Sequence, residues 1–217
     1  MYLTAPFKYL LLLALAILLL ATRSVIAGTA EDFHLVKGET LPEGFEYVPL
    51  RISGSIGDVH LNHTGTIEEI LAKVADENPG FKIEDVLTSA GPAVDTLNTL
   101  DKRTKSDLAC YPFSGQPTWK PVEARYIRDG ISYLQKVTAL CWVEGHKCSR
   151  ISCSYKSAIS LCNVTPVRKG LSCSYMASYA QDILNKCTYE VGIMRFVGGQ
   201  AWDTQGYNIN VYRDTSC

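Results

Sequence analysis

The sequence predicts an α+β fold, a small antiparallel sheet with two helices packed on one face and stapled by disulfides. Three observations carry that reading: two stretches repeat apolar residues at helical spacing, two alternate with period two, and all eight cysteines stand after residue 103. In "PVEARYIRDGISYLQKV", Ile127, Ile131 and Leu134 stand four and three apart, an amphipathic helix with Pro121 near its first turn. Gly130 costs such a helix about 1 kcal/mol relative to alanine, so close packing is expected there. "KCSRISCSYKSAISLCN" alternates on both sides of a polar centre, with Ile151 and Cys153 on one face and Ala158, Ser160 and Cys162 sharing one on the return. It predicts a hairpin turning near Tyr155-Lys156. "LSCSYMASYAQDILNKC" is the second helix, capped by Ser172 or Ser174, with Met176, Ala180, Ile183 and Cys187 on one side. "GYNINVYRDTSC" closes the fold with a strand in which Tyr207, Ile209 and Val211 alternate with Asn208, Asn210 and Tyr212.

The N-terminus assigns the compartment. Lys8 precedes thirteen uninterrupted apolar residues, Tyr9 to Ala21, and "VIA" supplies the small residues of a cleavage site. Residues 1–27 are read as a secretory signal peptide cut after Ala27, because a spanning helix needs about 20 apolar residues. In an oxidising compartment Cys110, Cys141, Cys148, Cys153, Cys162, Cys173, Cys187 and Cys217 form a disulfide framework, not a metal or redox site. No CxxC spacing occurs, so neither a metal nor a cofactor is expected, and spacing alone leaves the pairing open.

The rest of the chain is two chemically different pieces. Residues 28–103 lack cysteine and carry fourteen acids against six bases, net −8; residues 104–217 carry eight acids against thirteen bases, net +5. The boundary falls at "LDKR", where Lys102-Arg103 is a cut site for a kexin-type processing protease. Residues 28–103 are therefore expected to be an acidic propeptide and 104–217 a cysteine-rich mature domain. The propeptide is partly helical: in "TGTIEEILAKVADENPG", Thr66 caps, Glu69 completes a capping box, and Ile67, Ile70, Leu71 and Val74 form an apolar face. Glycosylation sequons stand at Asn62 and Asn163.

A catalytic site is not apparent. His34, His60 and His63 lie in the propeptide, which leaves His146 alone in the mature domain, and no GxSxG elbow occurs. Glu144, His146 and Arg150 imitate the base, acid and arginine of a small ribonuclease. Glu123, Asp129, Glu144, Asp182, Glu190, Asp203 and Asp214 offer pairs for a two-carboxylate glycosidase. The basic balance and the aromatics of "GGQAWDTQGY" point instead to a binding surface, with Lys147, Arg150, Lys156, Trp202 and Tyr207 as candidates.

The run "CSRISCSYKSAISLCN", the helix ending in cysteine, and "VGGQAWDTQGYNINVYRDTSC" resemble a group of small secreted cysteine-rich proteins of filamentous fungi, over residues 110–217. The trailing helix cysteine and the closing strand are more distantly similar to the killer-toxin-like fold, shared by a smut-virus killer toxin and necrosis-inducing effectors. The closer resemblance implies counterparts for Cys110, Cys148, Cys153, Cys162, Cys187 and Cys217. It sets Cys141 and Cys173 apart as additions that bridge each other. The function it implies is a secreted, extracellular effector or toxin-like monomer that binds a host or competitor cell-surface protein, lipid or glycan. No stable nucleic-acid complex is expected; the alternative is a small secreted hydrolase of cell-wall glycan or RNA.

Overall fold

The computed structural model describes residues 46–88, 104–112 and 119–217; the signal peptide, its cut after Ala27 and the Lys102-Arg103 pair lie outside them. The described part of the acidic segment opens with Glu46–Tyr47 (β1) and a hairpin of Arg51–Ile56 (β2) and Val59–Thr64 (β3) turning at Gly57-Asp58. Ile67–Glu77 (α1) follows, with Thr66 as its cap. The Thr66 amide donates to Glu69 Oε2 at 2.8 Å and the Glu69 amide to Thr66 Oγ1 at 3.4 Å, so the capping box forms as its spacing predicts. Ile67, Ile70, Leu71 and Val74 are the buried face. Ile83–Thr88 (α2) is the last described element before residue 104.

The cysteine-rich part runs through Lys105–Cys110 (β4), Val122–Glu123 (β5), Ala124–Lys136 (α3) and Thr138–Val143 (β6). Lys147–Ser154 (β7), Ser157–Asn163 (β8) and Lys169–Ser172 (β9) come next, then Cys173–Cys187 (α4). Tyr189–Val191 (β10), Met194–Val197 (β11), Gly199–Asp203 (β12) and Tyr207–Arg213 (β13) complete it. The β7–β8 hairpin turns where expected, at Tyr155 and Lys156, both with positive φ. Ser172 caps α4 through the Tyr175 amide. Pro121 lies just ahead of α3, whose N-cap is Glu123, separated from it by the two residues of strand β5.

The fold is mixed α and β, mostly sheet, with four helices among the described residues. Its strands make three sheets where one was expected: β1-β7-β8-β13-β12-β4, β3-β2-β6-β9 and β10-β11-β5. The pairs are antiparallel except β1 with β7. The extra sheets come from strands too short or too polar to announce themselves and from the acidic segment. There β2 pairs along β6 from Arg51 opposite Trp142 to Ser55 opposite Thr138. A Cβ on Gly54 would meet the Thr138 carbonyl at 2.4 Å, so glycine lets the two backbones approach.

One core joins both pieces. Leu50, Ile52, Ile56, Leu61, Ile67, Ile70, Leu71 and Val74 of the acidic segment are at most 2% exposed. They belong to the same apolar cluster as Ile127, Ile131 and Leu134 of α3, Met176, Ala180 and Ile183 of α4, and Ile159, Leu161, Ile209 and Val211 of the large sheet. All described residues fall in one compact unit, Phe33–Cys217.

Polar contacts cross the same boundary. Glu68 accepts from Ser152 Oγ at 2.5 Å and from the Cys153 amide at 3.0 Å, Trp142 Nε1 donates to Ser53 Oγ at 2.7 Å, and the Tyr47 and Tyr212 hydroxyls meet at 2.6 Å.

Four disulfides staple the structure: Cys110–Cys187, Cys141–Cys173, Cys148–Cys162 and Cys153–Cys217. Cys141 and Cys173, the pair that the resemblance sets apart, are bonded to each other. Each bridge is worth roughly 2–4 kcal/mol.

Gly130 packs as closely as expected. A Cβ there would stand 2.1 Å from Ser152 Oγ and 2.9 Å from Ser152 Cβ, the serine that Glu68 holds in place. Gly130→Ala is thus expected to lower stability by about 1–2 kcal/mol, overpacking outweighing helix propensity. Urea unfolding checks this; a more stable variant would mean that Ser152 gives way.

Candidate functional site

The basic residues proposed as a surface meet partners. Lys147 Nζ reaches Glu46 Oε1 at 2.6 Å, an acid of the N-terminal segment. Arg150 Nε donates to Asp214 Oδ2 at 2.5 Å, and its guanidinium lies 4.8 Å from the Tyr47 ring centre. Burial pushes the Asp214 carboxyl up, but the Ser216 amide and Arg150 outweigh it and hold the group below its ordinary value. Lys156 is exposed in the β7–β8 turn.

The aromatic half of that surface is not a surface. Tyr207 is 2% exposed, because in β13 it shares the core side with Ile209 and Val211, and its ring meets Tyr179 edge to face at 5.9 Å. Trp202 is 9% exposed, on the opposite side of the sheet from Ala201. That side also carries Gln200, Asn208 and Asn210. Gln200 Oε1, Trp202 Nε1, Asn208 Nδ2 and Asn210 Oδ1 are buried there without a hydrogen-bond partner.

A tyrosine cluster lies immediately beyond the expected cut. The Thr204 amide donates to the Thr104 carbonyl at 2.9 Å, and Thr104 Oγ1 meets the Tyr175 hydroxyl at 3.3 Å. Lys105 Nζ pairs with Asp182 Oδ2 at 2.7 Å and sits 4.4 Å from the Tyr179 ring centre. The Tyr179 hydroxyl donates to Asp203 Oδ2 and lies 3.1 Å from that of Tyr175. Burial, reinforced by Asp203, pushes the Tyr179 hydroxyl far above the ordinary range; burial raises Tyr207 likewise. These phenols stay neutral and hold α4 to β12 and β13. Lys105, Asp107, Asp182, Lys186 and Trp202 line a neighbouring cleft of about 400 Å³.

Most residues of the two catalytic constellations are engaged by other partners. Glu144 pairs with Arg168 at 3.1 Å and Arg150 with Asp214. His146 occupies a left-handed turn, its amide donating to Thr165 O at 3.0 Å. Among the seven carboxylates, Glu123 pairs with Arg125, Glu190 with Arg195 and Asp182 with Lys105, and Asp203 accepts from Tyr179. Asp214 is shifted down, opposite to what a general acid needs.

The two sequons differ. Asn62 is exposed on β3. Asn163 is fully buried, its Nδ2 donating to Val167 O at 2.7 Å and Glu144 O at 3.3 Å, so the folded protein uses the atom to which a glycan attaches. Asn163 is thereby corrected from a surface sequon to a loop-closing residue. Peptide mapping of the secreted protein is expected to find glycan at Asn62 and none at Asn163; an occupied Asn163 would contradict this arrangement.

The β10–β11 hairpin escaped the sequence reading, although "TYEVGIMRF" alternates about Gly192. Its apolar side chains are exposed: Tyr189 39%, Val191 58%, Ile193 99% and Met194 37%. No described helix is long and apolar enough to cross a membrane.

No family model, curated protein or solved structure matches the chain.

Proposed function

We propose that this is a secreted fungal effector or toxin-like protein, cut after Ala27 and after Arg103, that acts by binding a host or competitor cell surface. The observation that carries the reading is a four-bridge domain in which Glu123, Glu144, Asp182, Glu190, Asp203 and Asp214 are tied to cations, amides or phenols. Such a domain is rugged and offers no evident general acid. The alternation of β8 and β13, which brings Ile159, Leu161, Ile209 and Val211 into one core with α3 and α4, supports the killer-toxin-like arrangement of two helices on one sheet face.

Maturation by this route leaves two chains held together without a covalent link. Residues 46–77 supply a central strand and eight core side chains, but no cysteine that could tie them to 104–217. The acidic segment then persists as a subunit, and Glu46 and Glu68 go on neutralising and capping the basic part.

Applying the purified secreted protein to host and competitor cells tests the function. Cell damage that reduction abolishes, with no release of sugars or nucleotides, is the expected result. Release of glycan fragments or RNA cleavage at catalytic rates would replace this reading with the hydrolase.

A further inference from the structure

We infer that the β10–β11 hairpin is a membrane-docking finger for anionic phospholipid, an inference that rests on the cell-surface reading and names its partner. The tip is a two-residue turn, Gly192-Ile193, closed by Val191 opposite Met194. Ile193 is 99% exposed and Val191 58%. Water-facing apolar side chains at the apex of a projecting hairpin are unfavourable unless something covers them.

The base of the finger has the complementary chemistry. Arg128 of α3 and Arg195 of β11 line a groove of about 630 Å³ with Gln181, Asn185, Thr188 and Tyr189. Glu190, its acid, is paired with Arg195 at 3.1 Å, and the nearby Glu123 with Arg125 at 2.8 Å. Asp129, next to Arg128 in α3, lies toward Tyr133, with Glu68 and Glu84. Guanidinium and amide donors below an apolar tip match a phosphate headgroup above acyl chains.

Size selects lipid over protein. A stable protein interface takes roughly 800 Å² from each partner, more than four side chains on one turn present. Shallow insertion joined to electrostatic attraction needs no more than these two weak signals together.

Sedimentation of the secreted, disulfide-bonded protein with vesicles tests the inference. Vesicles of phosphatidylcholine with about 30 mol % phosphatidylserine are expected to bind it about tenfold more tightly than phosphatidylcholine alone, less so at high salt. Ile193→Asp is expected to lose about tenfold in binding to the anionic vesicles with its near-UV spectrum unchanged. Arg128→Gln is expected to lose the preference for anionic lipid.

Equal binding by wild type and Ile193→Asp would overturn the inference. So would a wild type that binds no vesicle while Ile193→Asp loses cell damage, which would point to a protein partner. Vesicle binding without cell damage would uphold the finger and overturn the functional reading beneath it.

Discussion

Expressed without residues 28–103, the cysteine-rich part is expected not to fold. Eight apolar side chains that the acidic segment buries, from Leu50 to Val74, are worth about 1.5–3 kcal/mol each. Their sum is of the order of a whole domain's stability, about 5–15 kcal/mol. Their loss would also strip β6 of its neighbour β2 and leave the Cys153 amide without Glu68. Disulfides do not replace this, since they act chiefly by restricting the unfolded chain. Near-UV circular dichroism and the yield of fully oxidised 104–217 measure the effect, and adding 28–103 as a separate chain is expected to restore both. A native spectrum and cooperative unfolding from 104–217 alone would show that the acidic segment is dispensable.

The second large effect is expected in alkali. Burial raises the hydroxyls of Tyr47, Tyr179, Tyr207 and Tyr212 above their ordinary value, with neighbouring phenols or Asp203 adding to it in Tyr179, Tyr207 and Tyr212. In the unfolded chain the same groups ionise near pH 10. Above that pH the unfolded state binds fewer protons than the folded one, so stability present below about pH 10 is lost as pH rises. Each retained proton contributes a slope of about 1.4 kcal/mol per pH unit. Tyr179, Tyr207 and Tyr212, raised furthest, together approach about 4 kcal/mol per unit, and Tyr47 adds in the same direction. Denaturant unfolding from pH 9 to 11, with tyrosinate absorbance at 295 nm, checks this. The buried phenols are expected to ionise only with loss of structure; simultaneous titration of all ten tyrosines that follow Ala27 in a folded protein would contradict it.

Local signals were legible where a single segment decides its own structure. The Thr66–Glu69 capping box, the Ile127-Ile131-Leu134 stripe and the Tyr155-Lys156 turn need nothing outside their own few residues. Long-range pairing was not legible in the same way. "RISGSIGDVHLNHT" carries period-two alternation about a Gly-Asp turn, but its partner β6 lies about 80 residues on, across a change of charge and of cysteine content. The compositional boundary at residue 103 is real in the sequence, yet the core crosses it, because buried apolar contacts do not depend on charge.

The aromatic part of the candidate surface is buried for a related reason. Basic and aromatic residues mark a binding face only if nothing else meets them. Here Glu46 meets Lys147, Asp214 meets Arg150, and Tyr207 lies in the core beside Ile209 and Val211. Among the exposed residues, Val191, Ile193 and Met194 have the composition of a core strand. Only the structure shows that nothing described covers them.

Mass spectrometry of the secreted protein, under native and then denaturing conditions without reductant, bears most directly on the central claim of a cut but undivided protein. One native complex is expected, separating in denaturant into a chain running from Gly28 to Arg103 and a chain from Thr104 to Cys217 carrying four intact bridges. A single chain beginning at Gly28 would contradict the cut, and a native mass equal to the Thr104 chain alone would contradict the retained subunit.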